Sequence, residues 1–367
     1  MTSIKRIAIS TGGGDAPGLN AVIKSVVLSA ATRGWECIGI RDGYDGLLFP
    51  EKFLRGGHML LRPADVMHIT PMGGTILGST NRGNPFEYPQ KQPDGSIIKI
   101  DMAPVLINSL KELAIDAIVA VGGDGSLNIA NELGKMGVRI VGVPKTIDND
   151  LEKTAVTFGF DTAVAFATEC IDRLHTTARS HGRMMVVEVM GRFAGWIALH
   201  AGISASADAI LIPEIPYDIN KVADYLLNKV YPAKQYGIIV VAEGAKTIDG
   251  KVLYKEKDGV PSKQLGGIGE AVAEQLKKLT GIDTRDVVLG HLLRGGSPTA
   301  FDRLISLRFG AAATRALAEG QNRVMVSINP PNIEYVPLEL VAKRMKMVDI
   351  SSDTVVTARE MGICFGD

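Results

Sequence analysis

Three glycine-bearing segments with polar side chains each follow a short apolar run of this 367-residue chain. They are TGGGDAPGLN at residues 11–20, GGDGS at Gly122–Ser126 and PKTIDNDL at Pro144–Leu151. Glycines at a strand-to-helix turn leave backbone N–H groups facing an anion, and the positive end of a helix adds to the attraction. Carboxylates beside such a turn can hold Mg²⁺ or accept a proton from a hydroxyl. Together these residue types predict phosphate chemistry.

The first two segments predict a binding site for a phosphoryl donor. The first lacks the Lys-Ser/Thr of a Walker A loop and does not fit G-x-G-x-x-G, so a tight strand-to-helix turn also explains it. In the second, Gly125 leaves space for phosphates and Asp124 offers a carboxylate suited to Mg²⁺. GGDGS also occurs in NAD kinases and lipid kinases, so it indicates a donor and leaves the acceptor open.

The third segment offers a candidate base. Asp148 and Asp150 lie two residues apart, with the hydroxyl of Thr146 close by in the chain. In isolation an Asx-type turn with capping carboxylates explains this pattern as well. Open α/β sheets bind ligands at the carboxyl ends of their strands, and three polar strand ends in one domain favour a ligand site.

The second half of the chain supplies candidates for binding an anionic acceptor, because the planar guanidinium of arginine grips phosphate. Each of these arginines could instead be a surface ion-pair partner, and His181 is better explained by a structural hydrogen bond. The candidates near strand ends are Arg179, His181, Arg183, Arg192, Glu243, Arg285, His291 and Arg294.

The elements that must position these residues alternate between strand-like and helix-like segments. Several strand-like runs are apolar throughout, as in a parallel sheet buried on both faces, so the fold class is α/β with largely parallel sheets. The predicted strands are Arg6–Ser10, Ala117–Val121, Arg139–Val143, Met184–Val189, Ala209–Ile212, Gly237–Ala242, Val287–Gly290 and Val324–Ile328. The predicted helices include Leu19–Thr32, Ala103–Leu113, Thr162–Leu174 and Ile268–Leu279. Residues 84–100 predict a surface hairpin that turns at Pro93–Gly95.

Composition excludes several classes of function. Forty basic residues balance forty acidic ones, which removes the bulk attraction that a nucleic-acid or membrane-surface binder uses. Glycine is enriched, with 41 residues, whereas the three cysteines are too few for a disulfide framework or a zinc site. The start of the chain lacks the apolar run of a signal peptide. We therefore expect a cytoplasmic protein that binds neither nucleic acid nor membrane.

Five motifs, in this order and at these intervals, resemble the phosphofructokinase family from Ile7 to about Phe309. They are GGDAPGLN, GGDGS, PKTIDND, VEVMGR and LGHLLRGGSP. The resemblance implies a phosphofructokinase-like fold of two α/β domains whose sheets are flanked by helices. It implies a phosphoryl-donor domain at 1–158 plus about 293–343, and a sugar-phosphate domain at 159–292 plus about 344–367.

The resemblance also implies a reaction, the transfer of a phosphoryl group to the 1-hydroxyl of fructose 6-phosphate. Asp148 matches the catalytic base and Asp150 a supporting carboxylate. Asp124 matches the Mg²⁺-binding carboxylate, Thr146 a residue that touches the transferred group, and Arg192 the residue that stabilises its charge. Such a set agrees with phosphoryl transfer, which needs positioning and charge neutralisation more than covalent help.

Further matches concern binding. Arg183 and Arg285 match arginines that reach the 6-phosphate from a neighbouring subunit, which implies a homo-oligomer, usually a tetramer. The matched sugar-phosphate contacts are Thr146, Ile147, Asp148, Asp150, Arg183, Met190, Gly191, Arg192, Glu243, Arg285, His291 and Arg294. The matched donor contacts are Gly14, Tyr44, Arg82, Gly83, Gly123, Asp124, Gly125 and Ser126.

Donor choice and regulation depend on departures from the common bacterial pattern. Gly125 is the ATP-type residue, whereas Lys145 is typical of the pyrophosphate-using branch. The mixed pair also occurs in ATP-using members, so ATP is the predicted donor and pyrophosphate the alternative. Lys24 and Leu28 stand where allosteric bacterial enzymes have effector-site arginines, which puts the usual regulation in doubt.

Two different classes of protein explain less of the sequence. An NAD or lipid kinase leaves PKTIDND and the arginines without a role, and a catalytically silent regulatory subunit is disfavoured because Asp148 and Arg192 are present. The sequence leaves open the effectors, the choice between dimer and tetramer, and activity on other sugars such as sedoheptulose 7-phosphate.

Overall fold

The computed structural model describes residues 4–257, 260–342 and 344–367. The strands are β1 (Arg6–Thr11), β2 (Glu36–Ile40), β3 (His58–Leu61), β4 (Tyr88–Lys91), β5 (Ile97–Ile100), β6 (Ala117–Gly122), β7 (Ile140–Pro144), β8 (Met184–Val189), β9 (Ala209–Leu211), β10 (Gly237–Ala242), β11 (Tyr254–Lys257), β12 (Val260–Leu265), β13 (Thr284–Val288), β14 (Val324–Asn329) and β15 (Asn332–Pro337).

The α-helices are α1 (Leu19–Ala31), α2 (Asp45–Leu48), α3 (Ala103–Glu112), α4 (Asp124–Lys135), α5 (Phe160–His181), α6 (Trp196–Ser204), α7 (Ile219–Tyr225), α8 (Tyr231–Lys234), α9 (Ile268–Thr280), α10 (Ala300–Ala318) and α11 (Asp353–Glu360). Short 3₁₀ helices include Gly290–Arg294.

The chain divides into two compact units, each made of separate stretches. The first comprises Met1–Thr146, Leu151–Gly159 and Arg294–Met345, and the second Ile147–Asp150, Phe160–Leu293 and Lys346–Asp367. The PKTIDND motif is therefore divided, because Thr146 belongs to the first unit and Asp148 to the second.

The first unit contains a seven-stranded sheet in the order β15-β14-β7-β6-β1-β2-β3. Strands β14, β7, β6, β1 and β2 are parallel, and β15 and β3 are antiparallel edges. Ile7 and Ile9 point into a core shared with α1 and α10, whereas Ala8 between them packs with α3 and α4 on the other face. Burial on both faces explains why these strands are apolar throughout.

The second unit contains a four-stranded parallel sheet in the order β13-β8-β10-β9. Apolar residues of β8, β9 and β10 form one core with α7 and α9. Helices α5 and α6 contact β8, β9 and β10. The predicted α/β class, with largely parallel sheets flanked by helices, is confirmed.

One predicted strand is wrong in its bounds. The sequence pattern indicates Val287–Gly290, but the strand is Thr284–Val288, and residues from Gly290 onward form a 3₁₀ helix. β13 is an edge strand, so it tolerates the exposed charged side chains of Arg285 and Asp286, which a search for apolar runs passes over. The predicted hairpin is confirmed, since β4 pairs antiparallel with β5 around a turn that contains Gly95. In the described part of the chain no helix could span a membrane.

Candidate active site

The three motifs of the first unit end adjacent strands. Thr11, Gly122 and Pro144 are the last residues of β1, β6 and β7, which are neighbours in the sheet. The loops are also tied together, because the Gly12 N–H donates to the Val121 carbonyl over 2.9 Å and the Lys145 N–H donates to the Gly122 carbonyl over 3.0 Å. The strand order thus brings the motifs to one edge of the sheet, as ligand-binding loops of α/β sheets are.

Glycines in these loops have two different functions. A Cβ at Gly122 would lie 2.2 Å from the Cβ of Ser126, and one at Gly12 would lie 2.7 Å from its Oγ, so these glycines let α4 pack against the strand ends. A Cβ at Gly125, by contrast, would meet nothing within 4 Å, and Gly125 is exposed. Of these three glycines, Gly125 is the one that leaves open space beside the loop.

The first turn of α4 is suited to an anion. Asp124 is its first residue and Gly123 its N-cap, without a side-chain cap. The first N–H groups of a helix lack partners within the helix, so they attract phosphate together with the helix dipole.

Lys145 places a cation beneath the first loop. Its side chain is buried, and its ammonium donates to the Gly14 carbonyl. A Cβ at Gly13 would lie 3.3 Å from the same nitrogen. A buried ammonium under a glycine loop favours an anion above it.

Arg294 also belongs to the first unit and contacts the loop after β1. Its Nη1 donates to the Asp15 carbonyl over 3.2 Å and would lie 3.0 Å from a Cβ at Gly14. The sequence pattern grouped this arginine with the acceptor candidates, whereas its contacts here are with the loop after β1.

Of the remaining donor candidates, Arg82 lies beside this loop. Thr80 accepts the Gly13 N–H with its carbonyl and the Arg82 N–H with its hydroxyl, over 2.9 and 3.2 Å, so the exposed Arg82 is tethered beside the loop. A Cβ at Gly83 would lie 2.7 Å from Asp45 Oδ1. Tyr44 is buried in the core, and this burial raises the pKa of its hydroxyl.

The acidic segment is buried in the second unit. Ile147, Asp148 and Asp150 are each at most 6% exposed, and Asn149 adopts a left-handed conformation with φ 52°. Thr146, in the first unit, is also buried, and its carbonyl accepts the hydroxyl of Thr157 over 2.7 Å.

Asp148 faces Arg192. The Arg192 Nε lies 3.8 Å from Asp148 Oδ2, and the arginine side chain is 61% exposed whereas the aspartate is 3% exposed. Burying a carboxylate without a counter-charge is costly, so the nearby guanidinium lowers the cost of burying Asp148. An ionised carboxylate beside an exposed guanidinium can accept a proton while the cation holds an anion.

Glu243 holds the loop that carries Arg192. Its Oε1 accepts the N–H groups of Gly191 and Arg192 over 3.3 and 3.0 Å. Arg192 has φ 53°, a strained conformation for a side chain other than glycine or asparagine. A Cβ at Gly244 would lie 2.0 Å from the Arg192 carbonyl, so Gly244 is required for this close approach.

Five acceptor candidates lie at the same end of the strands of the second sheet: Met190, Gly191, Arg192, Glu243 and His291. They follow the carboxyl ends of β8, β10 and β13, which are neighbours. His291 is exposed and lies in the 3₁₀ helix after β13.

Arg183 and Arg285 lie near the opposite end of this sheet, where its parallel strands begin. Arg183 precedes β8, and Arg285 is the second residue of β13. Both contact the Asp283 carboxylate at 3.5 Å, and Lys277 approaches it at 3.9 Å. Because β8 has six residues, roughly 20 Å of strand separates this cluster from Arg192. His181 and Arg179 are exposed near the end of α5.

The predicted effector positions make contacts of their own. Lys24 donates to the Met67 carbonyl over 2.9 Å, and Leu28 is partly buried against the core of the first unit. Leu28 thus contributes to packing where a guanidinium would bind phosphate.

Sequence reasoning missed Lys277, Asp283, Gly244, Trp196 and Lys346. None lies in a motif, and their contacts join residues that no local pattern links. Asp283, which directly precedes β13, could have been found only from the correct bounds of that strand.

Glycine-bearing strand ends on a parallel sheet, with buried carboxylates and guanidinium groups, are typical of α/β proteins that bind phosphate compounds. The model of the family described as Phosphofructokinase matches residues 6–317. An ATP-dependent 6-phosphofructokinase of Chloroflexus aurantiacus is 48% identical over 363 residues, covering 99% of this chain and 98% of that protein. An ATP-dependent 6-phosphofructokinase 2 of Clostridium perfringens is 46% identical, with 100% of both chains covered.

Solved structures agree. The phosphofructokinase of Pichia pastoris in the T-state matches with a TM-score of 0.78 at 30% identity, over 99% of this chain and 37% of that one. A pyrophosphate-dependent phosphofructokinase from Nitrosospira multiformis has a TM-score of 0.79 at 22% identity, over 100% of this chain and 93% of that one, which shows the shared fold. The chain belongs to the phosphofructokinase family, and the predicted membership is confirmed.

Proposed function

We propose that this protein is an ATP-dependent 6-phosphofructokinase. It transfers the terminal phosphoryl group of ATP to the 1-hydroxyl of fructose 6-phosphate and releases fructose 1,6-bisphosphate and ADP. As a glycolytic enzyme it would act in the cytoplasm. The observation that carries the proposal is the buried Asp148 carboxylate 3.8 Å from the exposed Arg192 guanidinium, in a chain whose full-length relatives are named for this activity.

Asp148 is the proposed general base. As the 1-oxygen of the sugar attacks the terminal phosphorus, its proton passes to the Asp148 carboxylate, and the bond from phosphorus to the bridging oxygen of ADP breaks. Arg192 stabilises the charge on the transferred group, and Thr146 contacts it. Preorganised charges of this kind supply most of the catalysis in phosphoryl transfer. Asp150 supports the turn.

The first unit is the proposed donor domain. The loop after β1, with Gly14, and the first turn of α4, with Gly123, Gly125 and Ser126, bind the phosphates, and Tyr44, Arg82 and Gly83 complete the site. The open space at Gly125 supports ATP, which needs room for its α-phosphate and ribose. The Lys145 ammonium is bound to the Gly14 carbonyl, so it lies at the proposed phosphate loop, and the choice of ATP rests on Gly125.

Asp124 would hold Mg²⁺. In the described part of the chain no three His, Cys, Asp or Glu residues form a metal cluster. Asp124 lies in the first turn of α4, and proteins commonly bind Mg²⁺ through one or two carboxylates together with substrate phosphates and water. When bound, the ion would neutralise charge on the phosphates.

The second unit is the proposed sugar-phosphate domain, and its sites are shared between copies. Ile147, Met190, Gly191, Glu243 and His291 contact the sugar. The family resemblance also assigns Arg294 to the sugar contacts, although its contacts are with the loop after β1 in the first unit. Arg183 and Arg285 lie roughly 20 Å of strand away from Arg192, farther than one hexose phosphate spans. This distance agrees with the role that the family resemblance implies for them, which is to contact the 6-phosphate in another subunit's site of a homo-oligomer, usually a tetramer.

Steady-state assays with fructose 6-phosphate and Mg²⁺ test the proposal, with ATP and pyrophosphate as separate donors. We expect turnover with ATP and at most slow turnover with pyrophosphate. Faster turnover with pyrophosphate would assign the protein to the alternative function that Lys145 suggests, and no turnover with either donor would refute the kinase.

A further inference from the structure

The turn that carries Asp148 is held by a residue from the C-terminal part of the chain. Lys346 Nζ donates to Asn149 Oδ1 over 3.1 Å, and the Lys346 backbone N–H donates to the Asp150 carbonyl over 2.9 Å. Asn149 has φ 52°, in the left-handed region that asparagine tolerates, and its side-chain amide is the group that the Lys346 ammonium holds. Lys346 therefore contacts both residues that follow Asp148.

The same lysine is tied to the helix that follows Arg192. Trp196 Nε1 donates to the Lys346 carbonyl over 2.9 Å, and the Lys346 ammonium lies 5.4 Å from the centroid of the Trp196 ring. Trp196 begins α6, four residues after Arg192. A cation over an indole ring is attracted by the ring quadrupole, so both side chains are restrained.

Glu214 adds a second link between the same segments. Its Oε1 accepts the Gly195 N–H over 3.0 Å and the Val348 N–H over 2.9 Å. Its side chain is partly shielded from water, and this burial raises the pKa of the carboxyl group. Residues 346–348 are thus bound to the Asp148 turn and to the start of α6.

These links matter because Asp148 and Arg192 do not fix each other. The 3.8 Å between their nearest atoms exceeds the length of a direct hydrogen bond, so their separation depends on the segments that carry them. We propose that Lys346 is a positioning residue for phosphoryl transfer, which sets the placement of Asp148 relative to Arg192 through Asn149 and Trp196. The inference rests on the proposed function, because it assigns these two residues to the transfer step.

The test replaces Lys346 with methionine, an unbranched side chain one heavy atom shorter that lacks the ammonium donor. We expect kcat to fall roughly 10- to 100-fold, since a displacement near 1 Å can cost about 10² in rate. KM for both substrates should stay within about twofold, because the interaction acts in the transition state. Lys346→Arg should recover kcat to within about threefold, since a guanidinium also donates and lies over indole. Lys229→Met, an exposed lysine of the same unit, is the matched control and should behave as wild type.

A second measurement tests how firmly the turn is held and does not depend on activity. Hydrogen–deuterium exchange of a peptide spanning 144–151 should be faster in Lys346→Met than in wild type and unchanged in Lys229→Met. If kcat and exchange both match wild type, the proposal is wrong. It is also wrong if folded Lys346→Arg is as slow as Lys346→Met.

If Lys346→Met fails to fold, Trp196→Phe is the second test, because it removes the indole N–H together with the fused five-membered ring and keeps a six-membered aromatic ring. A lower kcat at unchanged KM supports the proposal, and an unchanged kcat overturns it. Wild-type turnover tests the proposed function by itself, whereas exchange of the turn tests the role of Lys346 even in an inactive protein.

Discussion

Replacing Gly125 with aspartate should lower activity with ATP without lowering the stability of the fold. Gly125 is an exposed residue in the first turn of α4, and an added Cβ there meets nothing within 4 Å. An acidic side chain in the first turn of a helix contributes about 0.3–1 kcal/mol, and removing a helical glycine is favourable by up to about 1 kcal/mol. The variant should therefore fold at least as stably as wild type.

Its activity with ATP should fall because the new carboxylate lies beside the proposed phosphate site. Two like charges about 4 Å apart repel by about 1 kcal/mol in water and about 4 kcal/mol at an effective dielectric constant near 20. Since about 1.4 kcal/mol corresponds to a factor of ten, kcat/KM for ATP should fall between about 5-fold and about 1000-fold. KM for fructose 6-phosphate should change little.

The assay compares kcat/KM for ATP and for pyrophosphate, with unfolding in denaturant as the measure of stability. Pyrophosphate has no α-phosphate to repel, so the variant should lose less activity with this donor than with ATP. Gly125→Asn is the matched control, because it has nearly the same size without the charge and should lose far less. Raising ionic strength should reduce the difference in kcat/KM for ATP between the two variants.

Two results would refute this reasoning. If Gly125→Asp keeps wild-type kcat/KM with ATP, Gly125 does not border the donor phosphates. If Gly125→Asn is impaired as strongly as Gly125→Asp, the space beside the loop matters and the charge does not.

Three further predictions concern the base, the shared site and pH. Asp148→Asn should keep KM and lower kcat by about 10²-fold or more, because an amide cannot accept the proton of the sugar hydroxyl; steady-state kinetics checks this. Arg285→Ala should raise KM for fructose 6-phosphate far more than for ATP, and hybrids of Arg285→Ala with Asp148→Asn chains should regain activity. Burial, and then the charge of Lys346, lower the pKa of His200 below 6.5. The folded state thus favours neutral His200, so wild type should lose stability relative to His200→Gln as pH falls below about 6.5, measured by denaturant unfolding at pH values of about 7.5 and about 5.5.

Each of these has a control or a contrary outcome. If Asp148→Asn keeps a kcat near that of wild type, Asp148 is not the general base. Lys277→Ala removes the more distant cation from Asp283 and should raise KM less than Arg285→Ala. Verified hybrids no more active than either parent would contradict the shared site. An equal pH dependence in His200→Gln and wild type would show that His200 does not contribute.

Local patterns predicted much of the fold and indicated the segments of the candidate site. The apolar runs of β1, β6 and β7 follow from burial on both faces of a parallel sheet, and the polar glycine turns after them mark carboxyl ends. The motif with Asp148 and the loop with Arg192 could be recognised because their residues are close in the chain. Gly125 is a candidate for the same reason, because it lies within the GGDGS segment.

Some features depend on contacts between distant residues. The edge strand β13 was misplaced because its position at the edge of the sheet, and not its hydropathy, permits Arg285 and Asp286. The packing of strands and loops places the arginines at the two ends of the strands of the second sheet. It also brings Arg294 into contact with the loop after β1.

Local sequence was enough to predict the α/β class and the strand ends with the candidate site residues, because backbone conformation and burial pattern are encoded over a few neighbouring residues. Which of these residues contact one another depends on the folded arrangement of the elements. Asn149 and Lys346 are bonded across 197 positions of the chain, and Glu243 holds the backbone of Arg192 across 51. Such pairs form where folded elements pack side by side, and the packing depends on the whole chain, which no short stretch of residues encodes.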